Sequence, residues 1–212
     1  MRRFSQAIVR LCHALWIAAA FIAAGCGGPD AKPQGKAPST LDLHPKTAEG
    51  QLELGYKYYL GDGLPIHHER AAALFKQAAE QGHAEAQFAL GVCAQNGYGV
   101  PMNYLEAAKW YLKSARQDNP NGQYLMGLAC KEGSGVSKNI VEAYKWLHLA
   151  AEKGQPVHIE ARDQLALLLT PDLVAEGKRR AEQFRIYEST PQSLAGSAPR
   201  TTPDPAPPRP NN

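Results

Sequence analysis

Cysteine is scarce in this chain, with four in 212 residues, and none of the four belongs to a Cys-x-x-Cys pair. That excludes a disulfide-dense scaffold and the usual structural zinc knuckle. Basic excess is also small. The formal net charge is +3, and residues 1–25 hold Arg2, Arg3 and Arg10 with no acid, so residues 26–212 are electrically balanced. No Lys/Arg stripe remains to neutralise phosphates, which argues against a nucleic-acid partner. Long apolar runs are lacking too. The longest, Leu11 to Ala24, is interrupted by His13 and is too short to span a bilayer as a mature helix. Gly-x-Ser-x-Gly, Ser-x-x-Lys, a Walker-type glycine loop and a Rossmann fingerprint are all missing.

What is present begins with a targeting pattern. Arg2, Arg3 and Arg10 precede the apolar run, which ends in Ala23-Ala24-Gly25-Cys26. A basic start, a short apolar core and small residues before cysteine read as a lipoprotein signal over residues 1–25, with Cys26 as the lipid-modified N-terminus. Ala23 departs from the pattern, because a bulky aliphatic is usual there. A multiply acylated cysteine anchors stably where one chain alone does not. Gly27 follows, rather than the Asp that retains lipoproteins in the inner membrane, so in a diderm the expected place is the outer membrane, facing the periplasm. Proline clusters in residues 26–47 and again in 188–212, giving an expected flexible tether and a Pro-rich disordered tail around a compact part.

That compact part repeats. Gly55, Gly91 and Gly127 lie 36 residues apart, as do Gly61, Gly97 and Gly133, and Gly63, Gly99 and Gly135. The alanines Ala71, Ala107 and Ala143, then Ala79, Ala115 and Ala151, keep the same register, and Gln51, Gln87 and Gln123 complete it. A fixed period without insertion is the mark of a solenoid whose units cannot bury their faces alone. Each unit predicts two helices, such as Ala84 to Asn96 and Tyr104 to Gln117, joined by a loop (Gly97-Tyr98-Gly99-Val100-Pro101) whose glycines permit left-handed backbone. The expected fold is all-α, a right-handed α-solenoid of helix-turn-helix units at 48–83, 84–119 and 120–155, with a partial terminal unit at 156–187. Thr170 is expected to cap the last helix, with Pro171 at its first position. Gly55, Gly91 and Gly127 fall mid-helix, so a close helix–helix approach is expected at each.

The stretches LGYKYYLGDGLP, LGVCAQNGYGVP and MGLACKEGSGVS, each followed by EAAKWYLKSA-like sequence, resemble the Sel-one-like repeat (SLR) family, relatives of the tetratricopeptide repeats. Pro120 departs from the alanine that opens a unit, and Ala94 and Cys130 replace the aromatic that Tyr58 supplies. The resemblance implies a curved adaptor that binds other proteins. Enzyme activity of a β-lactam or peptidoglycan type, known for cysteine-rich relatives, is an alternative weakened by the lack of cysteine pairs. Carbohydrate or peptidoglycan binding is another.

Columns that do not vary between units hold the stack, so a partner is expected on columns that do. Leu52, Tyr56 and Tyr59, then Phe88, Val92 and Gln95, then Tyr124, Leu128 and Lys131 recur at i, i+4 and i+7 and share one face of the first helices. This face is expected to be concave, apolar and exposed, with Glu49, Glu85 and Asn121 at its rim, and to take a helix or an extended peptide of an envelope or secreted protein. Some of its side chains have a competing use in packing against the preceding unit. Cys93 and Cys130 are expected to be buried and unbridged. His67-His68-Glu69 lacks metal-ligand spacing and reads as a solvated turn. No catalytic residue, metal or cofactor is assigned.

Overall fold

The computed structural model describes residues 45–188. The expected signal, Cys26, most of the tether and the Pro-rich tail lie outside the described residues.

The described residues form eight helices and no strand: α1 (Ala48–Leu60), α2 (His68–Glu80), α3 (Ala84–Asn96), α4 (Tyr104–Arg116), α5 (Pro120–Glu132), α6 (Ile140–Ala151), α7 (Pro156–Ala166) and α8 (Pro171–Glu188). None of them is long and apolar enough to cross a membrane. All the helices but α7, where Gln155 gives no side-chain cap, begin where the sequence offers an acceptor for orphan N–H groups. Thr47, Asn103, Asn119 and Asn139 cap α1, α4, α5 and α6 through side-chain oxygens, and the Nδ1 atoms of His67 and His83 do the same for α2 and α3. Asn119 makes Pro120 harmless, because proline at the first helical position forfeits an N–H that had no partner. The Leu173 amide donates to Thr170 Oγ1 at the start of α8.

The first helix of every complete unit ends at Gly61, Gly97 or Gly133, each with a positive φ of 74–80°. Mid-helix glycine serves a different purpose. A methyl group at Gly55, Gly91 or Gly127 would sit 2.6, 2.5 or 2.8 Å from the side chain of Phe75, Tyr111 or Leu147, the matching large residue of the second helix. The helix penalty of glycine, about 1 kcal/mol against alanine, is thus offset by a ring or branched side chain laid directly on the backbone. Ala71, Ala107 and Ala143 are buried to the same degree, and their small size lets the paired helices approach.

Units join through a polar ladder as well as apolar contact. Gln87 Nε2 donates to the Ala79 carbonyl at the end of the preceding hairpin, while its Oε1 accepts from Gln117 of its own unit at 2.7 Å. Gln51 accepts from Gln81 in the same way, and Gln123 donates to the Ala115 carbonyl. Beyond the third unit, α7 and α8 both pack on α6, with Trp146 meeting Phe184 edge-to-face at 5.0 Å and Arg180 bridging to Glu142 at 2.9 Å.

Candidate functional site

The variable stripe runs along α1, α3 and α5, and its tyrosines Tyr56, Tyr59 and Tyr124 reach the following unit. The Tyr56 hydroxyl donates to Glu85 Oε1 of the second unit at 3.0 Å, and its ring meets Phe75 edge-on at 5.1 Å. Tyr59 contacts His68 at 5.5 Å and Tyr98 of the second unit at 5.9 Å, and His68 stacks on Tyr98 at 5.0 Å. Leu52 joins this cluster from its edge. In the next unit Val92 is buried, Phe88 is packed beside it, and Gln95 Oε1 accepts from the Tyr111 hydroxyl at 2.9 Å. In the third, Tyr124 stacks on His158 of α7 at 4.8 Å with Leu128 against the same core, and Lys131 is half-buried at the end of α5.

None of the nine is fully exposed. The stripe is half-buried: its tyrosines interlock with the following unit, and eight of the nine side chains keep part of their surface exposed. For Tyr56, Tyr59 and Tyr124 the packing is with the following unit. The reason is geometric. A first helix packs on its own second helix and on the second helix of the preceding hairpin, and meets the next first helix along a remaining narrow strip, so a stripe that varies in identity is still used in stacking.

The electrostatics match a dry seam. Burial, then the nearby Glu85, raises the Tyr56 hydroxyl well above its usual range, and burial also raises Tyr59 and Tyr111. Burial pushes the Cys93 thiol up to about 12, which leaves it a poor nucleophile at neutral pH. Cys130 is likewise raised, to about 11, by burial first and Glu142 second. Both cysteines are free and buried. No group of three or more His, Cys, Asp or Glu among the described residues is arranged to hold a metal ion. His67 and His68 belong to structure instead of a loose turn, one as a cap and the other in the aromatic cluster.

Sequence reasoning missed two contributors. His68 and Tyr98 gave no periodic signal, since the column of His68 holds Tyr104 and Ile140 in the other units and that of Tyr98 holds Asp62 and Ser134. Glu85 was placed at a rim, yet it ties the first two units together, accepting from Tyr56 of the first at 3.0 Å and, within its own unit, from the Nδ2 of Asn119, the cap of α5, at 2.7 Å.

The family model for the Sel1 repeat matches three times, at residues 48–83, 84–119 and 120–155. The chain belongs to the Sel1 repeat family. It is similar to the crystal structure of a Sel1 repeat protein from Oxalobacter formigenes, at 34% identity and a TM-score of 0.55 over 66% of this chain and 57% of that one. A protective antigen present in uropathogenic Escherichia coli strains, displaying an SLR fold, is similar at 27% identity and a TM-score of 0.62, over 74% of this chain and 35% of that one. This chain thus spans between about a third and three-fifths of the length of these two relatives. No curated protein matches it. Sel1 repeats are generally non-enzymatic scaffolds for protein interaction, and the solenoid architecture is that of the family.

Proposed function

We propose that this Sel1 repeat protein is a lipid-anchored scaffold of the cell envelope. It would be tethered through Cys26, on the outer membrane facing the periplasm in a diderm, and would present the first-helix face of its array to another envelope or secreted protein. The observation that carries the reading is the contrast between columns. Gly, Ala and Gln recur where the stack is sealed, whereas the stripe changes from Leu/Tyr/Tyr to Phe/Val/Gln to Tyr/Leu/Lys while keeping part of its surface accessible. Sequence freedom at a surface that is still shaped by rigid helices is what a solenoid needs to select a partner.

The stacking roles dictate the test. Tyr59→Ala and Tyr124→Ala would remove rings from the seams, so loss of binding would be ambiguous. Leu52→Glu and Lys131→Glu change the half-exposed ends of the stripe. Photo-crosslinking from the rim position 121 in intact cells is expected to give one defined protein adduct, lost when both charges are introduced while helical content is retained. Adducts to sugar strands alone, or an unchanged adduct in the double variant, would reject the reading. For the anchor, Cys26→Ala is expected to move the protein from the membrane to the wash fraction and to remove acyl mass from its N-terminal peptide.

A further inference from the structure

The two ends of the array are finished differently. In the second and third units, the flank of the first helix that meets the preceding hairpin carries Ala89 and Cys93, then Leu125 and Ala129, all buried. The first unit, which has no hairpin before it among the described residues, carries Glu53 and Lys57 at these positions, paired at 2.8 Å. Charge closes that edge.

At the other end α7 occupies the first-helix position of a fourth unit, and Leu165 and His158 face back into the third. Shifting the stripe by one more repeat places Glu160, Gln164 and Leu167 where earlier units have residues covered by the next helix. Here nothing in the described chain covers them. Leu167 is 85% exposed and Leu168 76%, the two most exposed large apolar side chains described. Along the same face runs an open groove of about 630 Å³ lined by Pro156, Ile159, Glu160, Asp163, Gln164 and Leu167. Its floor is apolar and its charged members are the acids Glu160 and Asp163, the latter partly answered by Arg162 at 2.7 Å.

We infer that the outer face of α7 docks a short amphipathic helix of a partner protein, one with leucine-like residues on one stripe and Lys or Arg beside them. The site continues the interface by which each unit already receives the next helix, so the bound segment takes the place of a further first helix. The acids specify a basic flank, and they disfavour a second copy of this chain. Stacking α7 on α7 would oppose Glu160 and Asp163 to themselves, and stacking α7 on α1 would bring them to Glu49 and Glu53, with Lys57 already paired to the latter. This surface repeats the columns of the stripe on α7 but shares no residue with those of α1, α3 and α5.

The test uses the full chain and two labelled peptides of identical apolar pattern, one Leu/Lys and one Leu/Glu, followed by fluorescence anisotropy. The Leu/Lys peptide is expected to bind at least about ten-fold more tightly than Leu/Glu. Leu167→Asp with Leu168→Asp should weaken it about ten-fold or more, and Glu160→Lys should reverse the preference between peptides. Both leucines are exposed, so circular dichroism and melting should be unchanged in that variant. Lys131→Glu, on the other surface, should leave the affinity as it was. A photo-crosslinker at position 164 should capture the Leu/Lys peptide. Equal binding of the two peptides, indifference to the leucine substitutions, or capture from position 164 of residues 189–212 or of a second copy instead of the peptide would overturn the inference.

Discussion

The Tyr56 hydroxyl donates to Glu85 across the boundary between the first two units at 3.0 Å, and through Glu85 it is linked to Asn119, the cap of the third unit's first helix. One carboxylate therefore joins the first two units and also holds the residue that caps the third unit's first helix. Tyr56→Phe is expected to cost about 1 kcal/mol, the net worth of one such bond, whereas Glu85→Ala strands two donors and should cost about 2 kcal/mol. A double-mutant cycle by urea unfolding checks this. Additive effects would mean that the two groups are not coupled.

The glycines of the second loop column offer a cleaner measure of unit stacking. Gly63 and Gly99 share a positive φ of 71°, so alanine meets the same backbone penalty at each, about 1–2 kcal/mol. Around Gly63 there is open space, but a methyl group at Gly99 would overlap the His68 carbonyl of the preceding hairpin. Gly99→Ala should therefore be the more destabilising by about 1–3 kcal/mol, the range for forcing extra volume into a packed site. Equal midpoints for the two variants would show that the loops do not bear on one another.

Most of the fold was legible because the repeat forces one solution on every unit. The glycines, alanines and glutamines recur at one spacing, and only a stack of hairpins buries them all. The candidate surface was less legible for a physical reason. Periodicity tells which residues share a helix face, but Tyr56 and Tyr124 could equally line a groove or interlock with a neighbour, and that depends on the rotation between units. A seam partner such as His158 has no counterpart in the preceding units, where its column holds Gly50, Ala86 and Gly122. The exposure of Leu167 follows from a missing neighbour, and no residue in the sequence announces that.

Acid should loosen the C-terminal end first. His158 is buried in the seam against Tyr124 and hydrogen-bonds to the Ala150 backbone; burial lowers its pKa below 6.5. His148 on α6 is lowered too, by burial first; Glu152 opposes the shift, while Arg162, Lys178 and Arg185 add to it. A depressed histidine pKa means that the unfolded chain binds more protons once pH falls below 6.5, so stability drops from there downward. Glu142 acts in the same direction at lower pH. Burial opposes its ionisation, yet hydrogen bonds and charge from Lys145 and Arg180 hold its pKa below the usual value, and its contribution is lost as pH falls through that lowered pKa. Hydrogen exchange at pH 7.5 and 5.5, corrected for intrinsic rates, should show protection falling more in α7 and α8 than in α3 and α4. His158→Gln should reduce the difference, and uniform loss along the array would contradict this account.

The polar ladder has one broken rung, and repairing it tests how the ladder works. Gln51 and Gln87 each accept through Oε1 from a glutamine at the end of their own hairpin, Gln81 and Gln117. In the third unit that column holds Lys153, whose ammonium goes to Asp118 instead, and Gln123 Oε1 is left buried without a donor. Lys153→Gln restores the residue type that the other two units use. The new amide should reach Gln123 Oε1 and contribute about 1 kcal/mol, more if the stranded acceptor now bears its full desolvation cost. The Lys153–Asp118 pair forfeited is a surface ion pair worth about 0–1 kcal/mol and is screened by salt. The substitution should thus be near neutral at low ionic strength and increasingly stabilising as salt is raised. Urea unfolding of both proteins across that salt range decides it, and a Lys153→Gln chain that is less stable than the parent even at high salt would show that Gln123 does not need the rung.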